Sequence, residues 1–125
     1  MKTILTLEDK LEINDFYKEL FEDCEYKVLT ATTYAEVMEF VRQQTIDLLI
    51  VDNLLQYSQS EKNGFQTVLE VKKISPPTRI IMVSAHYPPE LEKIHKNYGI
   101  DVLIRKPFDI ANLVEHIKQL LNPAE

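Results

Sequence analysis

The chain has 125 residues, with 14 basic and 20 acidic side chains and a formal net charge of −6. This length fits one domain over residues 1–125, and the negative charge disfavours nonspecific binding to nucleic acid or to an anionic membrane surface. The single cysteine, Cys24, excludes an internal disulfide, and no apolar stretch approaches the length of a membrane span. We therefore expect one soluble domain in the cytoplasm, without nucleic-acid or membrane partners.

Apolar residues alternate along the chain between short continuous runs and helical spacing. Continuous runs are typical of strands covered on both faces, and spacings of three and four residues are typical of amphipathic helices. The runs predict strands at 4–7, 26–31, 46–51, 79–85 and 102–104. The spacing predicts helices at 10–23, 34–41, 64–75, 88–98 and 110–121, with Thr32 or Thr33 capping the second and Gly99 closing the fourth. Five strands alternating with five helices predict an α/β, flavodoxin-like parallel sheet of order 2-1-3-4-5 with helices on both faces.

Polar residues stand where the predicted strands end. Glu8 and Asp9 follow the first strand, Ser84 closes the fourth, and Lys106 follows the fifth. Asp52 is placed just past the third strand, because an unpaired charge buried inside a strand is costly. Open α/β sheets bind ligands at the carboxyl ends of their strands, and the order 2-1-3-4-5 brings the three acids together there.

These residue types favour chemistry on a phosphoryl group. Carboxylates at close range repel one another unless a cation lies among them. Mg²⁺ suits this role, since it uses one or two carboxylates, keeps several waters and can hold a phosphate oxygen. Lys106 supplies a positive charge for phosphate and Ser84 a hydroxyl donor. The pattern predicts phosphoryl transfer onto Asp52, with the metal, Lys106 and Ser84 stabilising charge in the transition state.

The order and spacing of these residues, over essentially the whole chain, resemble those of the receiver domain of two-component response regulators. The residues that carry the resemblance are Glu8-Asp9, Asp52, Ser84-Ala85 and Lys106-Pro107-Phe108. It implies that Asp52 is the phosphoacceptor and that the Lys106–Pro107 peptide bond is cis. It also implies an Mg²⁺ site formed by Glu8, Asp9, Asp52 and the backbone carbonyl of Leu54.

The resemblance further implies partners and a mode of signalling. The phosphoryl group comes from a sensor histidine kinase or a histidine phosphotransfer protein, which docks against helix one, where Ile13, Asn14 and Tyr17 are candidates. The response appears on the face formed by helix four, strand five and helix five, which also offers a homodimer interface. With no effector domain after Leu121, a stand-alone, chemotaxis-regulator-like receiver is expected. Such a domain is not an enzyme beyond catalysing its own phosphorylation and slow dephosphorylation.

Several positions depart from the family pattern. Gln56 stands where proline is usual, and the loop 56–63 is longer than usual. Leu103 replaces the strand-five aromatic that acts as a switch in many members. Leu54 and His86 occupy positions that tune the lifetime of the phosphoryl group, and an apolar Leu54 predicts slow autodephosphorylation because it orients no attacking water.

Two other classes of function compete with phosphorylation. The departures at Gln56, the loop and Leu103 favour a phosphorylation-independent receiver that acts as a protein-binding scaffold. An enzyme or flavin carrier on the same topology is disfavoured, because the chain has two glycines and neither follows strand one. A dehalogenase-type phosphatase is disfavoured as well, because Asp52-Asn53-Leu54 lacks the second acid of Asp-x-Asp.

Overall fold

The computed structural model describes residues 1–52 and 63–122. Five strands form one sheet: β1 Thr3–Leu7, β2 Lys27–Ala31, β3 Leu48–Asp52, β4 Arg79–Ser84 and β5 Val102–Arg105. Five α-helices accompany them: α1 Leu11–Asp23, α2 Tyr34–Gln43, α3 Gly64–Ile74, α4 Pro89–Ile94 and α5 Ile110–Leu121. All strand pairs are parallel and the order is β2-β1-β3-β4-β5. The predicted fold class and strand order are confirmed.

The sheet is covered on both faces, which explains the continuous apolar runs in the sequence. Successive residues of β3 point to opposite faces, and each face has its own apolar cluster. Leu49 and Val51 pack with residues of α2, α3 and α4, whereas Leu48 and Ile50 pack with residues of α1 and α5. All four of these β3 side chains are fully buried. The hydrophobic effect thus fixes the central strand, and with it the position of Asp52 at its end.

Local signals set the ends of several helices. Of the two threonines considered as the cap of α2, Thr33 fills the position, and its hydroxyl accepts from the Glu36 backbone N–H at 3.2 Å. Asn63 and Gln66 form a reciprocal capping box at the start of α3. Gly99 adopts a left-handed conformation with φ of 84°, which a residue without a Cβ tolerates. The predicted cap at Gly99 is therefore confirmed.

Most predicted element ends differ from the observed ones by one or two residues, and two differences are informative. The fourth helix is shorter than expected, because α4 ends at Ile94 and a 3₁₀ turn over His95–Tyr98 completes the segment. Asp52 is the last residue of β3, paired with Val83, and not a residue just beyond the strand. Its charge is tolerated inside the sheet because both carboxylate oxygens have partners, Lys106 and Tyr17. Within the described ranges, no helix combines the length and apolar character needed to cross a membrane.

Candidate functional site

Asp52 lies at the carboxyl edge of the sheet, with its side chain only 2% exposed. Its Oδ1 forms an ion pair with Lys106 Nζ, from the turn after β5. The Lys106 backbone N–H donates to the Ser84 carbonyl oxygen at 3.0 Å, and the Lys106–Pro107 peptide bond is cis. The parallel register of β3, β4 and β5 therefore brings together an acid and a lysine that are 54 positions apart in the sequence.

Glu8 is a second buried acid beside Asp52. It follows β1 with 1% of its surface exposed, and its Oε1 accepts from the Lys10 backbone N–H at 3.1 Å. Burial raises the pKa of Glu8 to about 8, and the nearby charges of Asp52 and Asp9 add to the rise. Asp9 itself is exposed. The first and third strands thus present two acids whose charged forms oppose each other, as expected at a place that a cation would stabilise.

The predicted metal ligands are only partly brought together. In residues 1–52 and 63–122, no group of three or more His, Cys, Asp or Glu side chains is arranged to hold a metal ion. Leu54, predicted to contribute its backbone carbonyl, lies outside the described residues. The chemistry of the remaining donors suits Mg²⁺, which takes one or two carboxylates and completes its coordination with water. Glu8 and Asp52 supply such a pair.

Ser84 is buried at the end of β4 and is bonded to its own loop. Its hydroxyl donates to the His86 carbonyl oxygen at 3.0 Å, and the His86 backbone N–H lies 3.3 Å from the same hydroxyl. The His86 residue is exposed. Because the hydroxyl has one proton, it must rotate away from the His86 carbonyl before it can donate to any other acceptor.

Tyr17 is a site residue that sequence reasoning missed. It is a docking candidate in the sequence analysis, yet it is 3% exposed. Its hydroxyl, however, donates to Asp52 Oδ2 at 2.7 Å. The sequence carries one signal for this contact: a buried tyrosine, unlike a phenylalanine, usually needs a hydrogen-bond partner for its hydroxyl.

The expected docking residues on α1 require correction. Asn14 and Tyr17 are 2% and 3% exposed, so they cannot form a docking surface. Asn14 turns inward because its amide donates to the backbone oxygens of Glu8 and Ala31, at 2.8 and 3.1 Å. Ile13 is half-buried. The exposed apolar residues of this helix are Leu11 and Phe16, at 67% and 49%.

Leu103, which replaces the strand-five aromatic of many family members, packs on the same apolar cluster as the ring of Tyr87. Both side chains are partly buried. The Arg105 guanidinium lies 4.3 Å from the centre of the Tyr87 ring, and the Tyr87 hydroxyl lies 3.0 Å from Glu92 Oε1. Gln56 and the loop from it to residue 62 fall outside the described residues.

Comparison with known proteins agrees with this geometry. The model of the response regulator receiver domain matches residues 4–118. The response regulator SaeR of Staphylococcus aureus (strain USA300) is 28% identical over 121 residues, which cover 97% of this chain and 51% of SaeR. The chain spans between about a quarter and about half of the length of the first curated relatives it matches.

Solved structures show the same likeness. A CheY-like receiver domain protein from Methanospirillum hungatei JF-1 superimposes with a TM-score of 0.83 at 28% identity, over 95% of this chain and 92% of that one. The regulator TrrA of Thermotoga maritima, in complex with Mg²⁺ and BeF, superimposes with a TM-score of 0.80 at 25% identity, over 97% of this chain and 100% of that one. Because the family model covers most of its length, the chain belongs to the response regulator receiver domain family.

Proposed function

We propose that this receiver accepts a phosphoryl group on Asp52, in a Mg²⁺-dependent reaction, from the phosphohistidine of a sensor kinase or of a histidine phosphotransfer protein. The observation that carries the proposal is the ion pair between the buried Asp52 carboxylate and Lys106 at the carboxyl edge of the sheet. A buried carboxylate held beside a flexible cation has both a nucleophile and a stabiliser of phosphoryl charge within reach.

The chemistry of transfer follows from these groups. A carboxylate oxygen of Asp52 attacks phosphorus, an O–P bond forms, and the P–N bond to the donor imidazole breaks. The imidazole leaves with the bonding electron pair and takes up a proton. The Lys106 ammonium stabilises charge on the phosphoryl oxygens, and the Ser84 hydroxyl donates to one of them after leaving the His86 carbonyl.

Mg²⁺ would be held by Glu8 and Asp52, with Asp9 and the Leu54 carbonyl as further ligands. When bound, it supplies positive charge that offsets the carboxylates and the incoming phosphoryl group. The TrrA complex, with Mg²⁺ and BeF, supports this assignment by similarity. The pKa of Glu8 is raised first by burial and then by the charge of Asp52, and a cation held between the two carboxylates would lower it.

Signalling would follow from the charge added at Asp52. Rotation of Ser84 toward the phosphoryl group changes the loop that leads into α4, and with it the face formed by α4, β5 and α5. That face is the proposed contact for a downstream protein or for a second copy of the chain. This function belongs to a signalling domain in the cytoplasm and not to an enzyme that turns over an external substrate.

Incubation with acetyl phosphate tests the proposal. With Mg²⁺, the intact mass of the native protein is expected to rise by one phosphoryl group, and chelation of the metal should prevent the rise. Asp52→Ala should give no adduct, since it lacks the nucleophile, whereas the exposed Asp15→Ala should react like the native protein.

An unchanged mass for the native protein, or an equal adduct on Asp52→Ala, would contradict phosphorylation at Asp52. A partner that binds native and Asp52→Ala protein equally, with or without phosphodonor, would favour the phosphorylation-independent scaffold instead.

A further inference from the structure

Tyr17 and Lys106 contact different carboxylate oxygens of Asp52. The Tyr17 hydroxyl donates to Oδ2 at 2.7 Å, while Lys106 Nζ pairs with Oδ1. One carboxylate oxygen is therefore paired with an ammonium and the other with a hydroxyl. Burial and the charge of Asp52 raise the pKa of Tyr17, so the phenol keeps its proton and acts as the donor.

The helix and the core fix the position of this hydroxyl. The Tyr17 ring stacks on Phe21, with 5.6 Å between ring centres and 7° between ring planes, and Phe21 is fully buried. Tyr17 itself is 3% exposed. The contact with Asp52 is thus made by a rigid side chain that loses little conformational entropy, unlike a contact from a long surface residue.

We propose that Tyr17 is a positioning residue that restrains Asp52: its hydroxyl stabilises the free carboxylate and so slows phosphorylation and weakens Mg²⁺ binding. The inference rests on the proposed function of Asp52. A hydrogen bond to an ionised carboxylate is stronger than one to a neutral acceptor. When Asp52 attacks phosphorus, its carboxylate becomes part of an acyl phosphate and its remaining carbonyl oxygen carries less negative charge, so the bond from Tyr17 weakens. An interaction that is stronger in the ground state than in the transition state lowers the rate.

The same reasoning applies to the metal. A carboxylate whose charge is partly satisfied by a hydroxyl and an ammonium is a poorer ligand, because Mg²⁺ competes with both for its electron pairs. Lys106 can move to the phosphoryl group during the reaction and remain useful there. Tyr17, held in the core, has no such second role, and its contribution is to set how readily Asp52 reacts.

Tyr17→Phe tests the proposal, with Tyr26→Phe as the matched control. Tyr26 is also buried, and its hydroxyl donates to Asn122 Oδ1 at 3.0 Å, on a different part of the molecule. We expect Tyr17→Phe to bind Mg²⁺ about fivefold more tightly, measured by calorimetry without a phosphodonor. We also expect it to form the adduct from acetyl phosphate about fivefold faster at saturating Mg²⁺. Tyr26→Phe should change neither quantity.

Unchanged or reduced Mg²⁺ affinity and rate in Tyr17→Phe would overturn the restraint. If the variant does not fold, ¹³Cζ-tyrosine NMR of the native protein decides. The Tyr17 resonance should shift on Mg²⁺ addition while that of Tyr26 stays, and a stationary Tyr17 resonance would overturn the proposal. Failure of the proposed function is distinguishable, because the native protein would then give no adduct at all.

Discussion

Lys106→Met is expected to lower the rate of adduct formation from acetyl phosphate by about 10²–10³-fold. The ammonium is the one described cation paired with Asp52, and its side chain is 26% exposed, so it can reach an incoming phosphoryl group from its place beside the carboxylate. Charge develops on the phosphoryl oxygens in the transition state, and methionine offers no donor or charge to stabilise it. Intact-mass time courses at saturating Mg²⁺ measure the effect.

Two comparisons separate this role from general damage to the protein. Lys73→Met removes an exposed lysine that pairs with Glu70 on α3, and it should leave the rate unchanged. Mg²⁺ affinity in Lys106→Met should be equal to or higher than in the native protein, because a competing cation has been removed from Asp52. A Lys106→Met protein that binds Mg²⁺ and is phosphorylated at the native rate would show that the ion pair is only structural.

Glu8→Gln is expected to remove most of the pH dependence of stability in the metal-free protein. The pKa of Glu8 is raised from 4.5 to about 8 by burial and by the charges of Asp52 and Asp9. Between these two values the folded state holds a proton that the unfolded state has lost, so the free energy of unfolding falls as the pH rises. The slope from this single group is at most about 1.4 kcal/mol per pH unit. Urea denaturation from about pH 5 to about pH 9 in the presence of a chelator measures it.

The metal provides an internal check on this prediction. Mg²⁺ favours the charged form of Glu8, so its addition should flatten the slope in the native protein and have a smaller effect in Glu8→Gln. Glu12→Gln, at an exposed acid in the first turn of α1, should keep the native slope. Equal slopes in native and Glu8→Gln protein would mean that Glu8 does not hold its proton in the folded state.

The fold was predictable because its signals are local and repeated. The strand β3 is apolar at four successive positions and fully buried at each, so its place in the middle of a parallel sheet follows from the hydrophobic effect. Thr33 and Gly99 mark helix ends through side-chain capping and a left-handed φ, which depend on residues nearby in the sequence. The predicted strand order alone places Asp52 and Lys106 at one edge of the sheet.

The rest of the site depends on contacts that residue patterns do not encode. Tyr17 follows the apolar spacing of α1, and only the packing of its ring on Phe21 aims the hydroxyl at Asp52. The family resemblance gives Asn14 as a docking candidate on helix one, yet a buried Thr6 hydroxyl and two backbone oxygens provide its amide with partners inside. In both cases a tertiary hydrogen bond overrides what the sequence alone suggests.

Locating the phosphoryl group tests the central claim most directly. The native protein is phosphorylated with acetyl phosphate and Mg²⁺, reduced with borohydride, which converts an aspartyl phosphate to homoserine, and mapped by peptide mass spectrometry. We predict homoserine at position 52, with Asp9, Asp15 and Asp47 intact in the same digest. Homoserine at any other position, with Asp52 unmodified, would contradict the account.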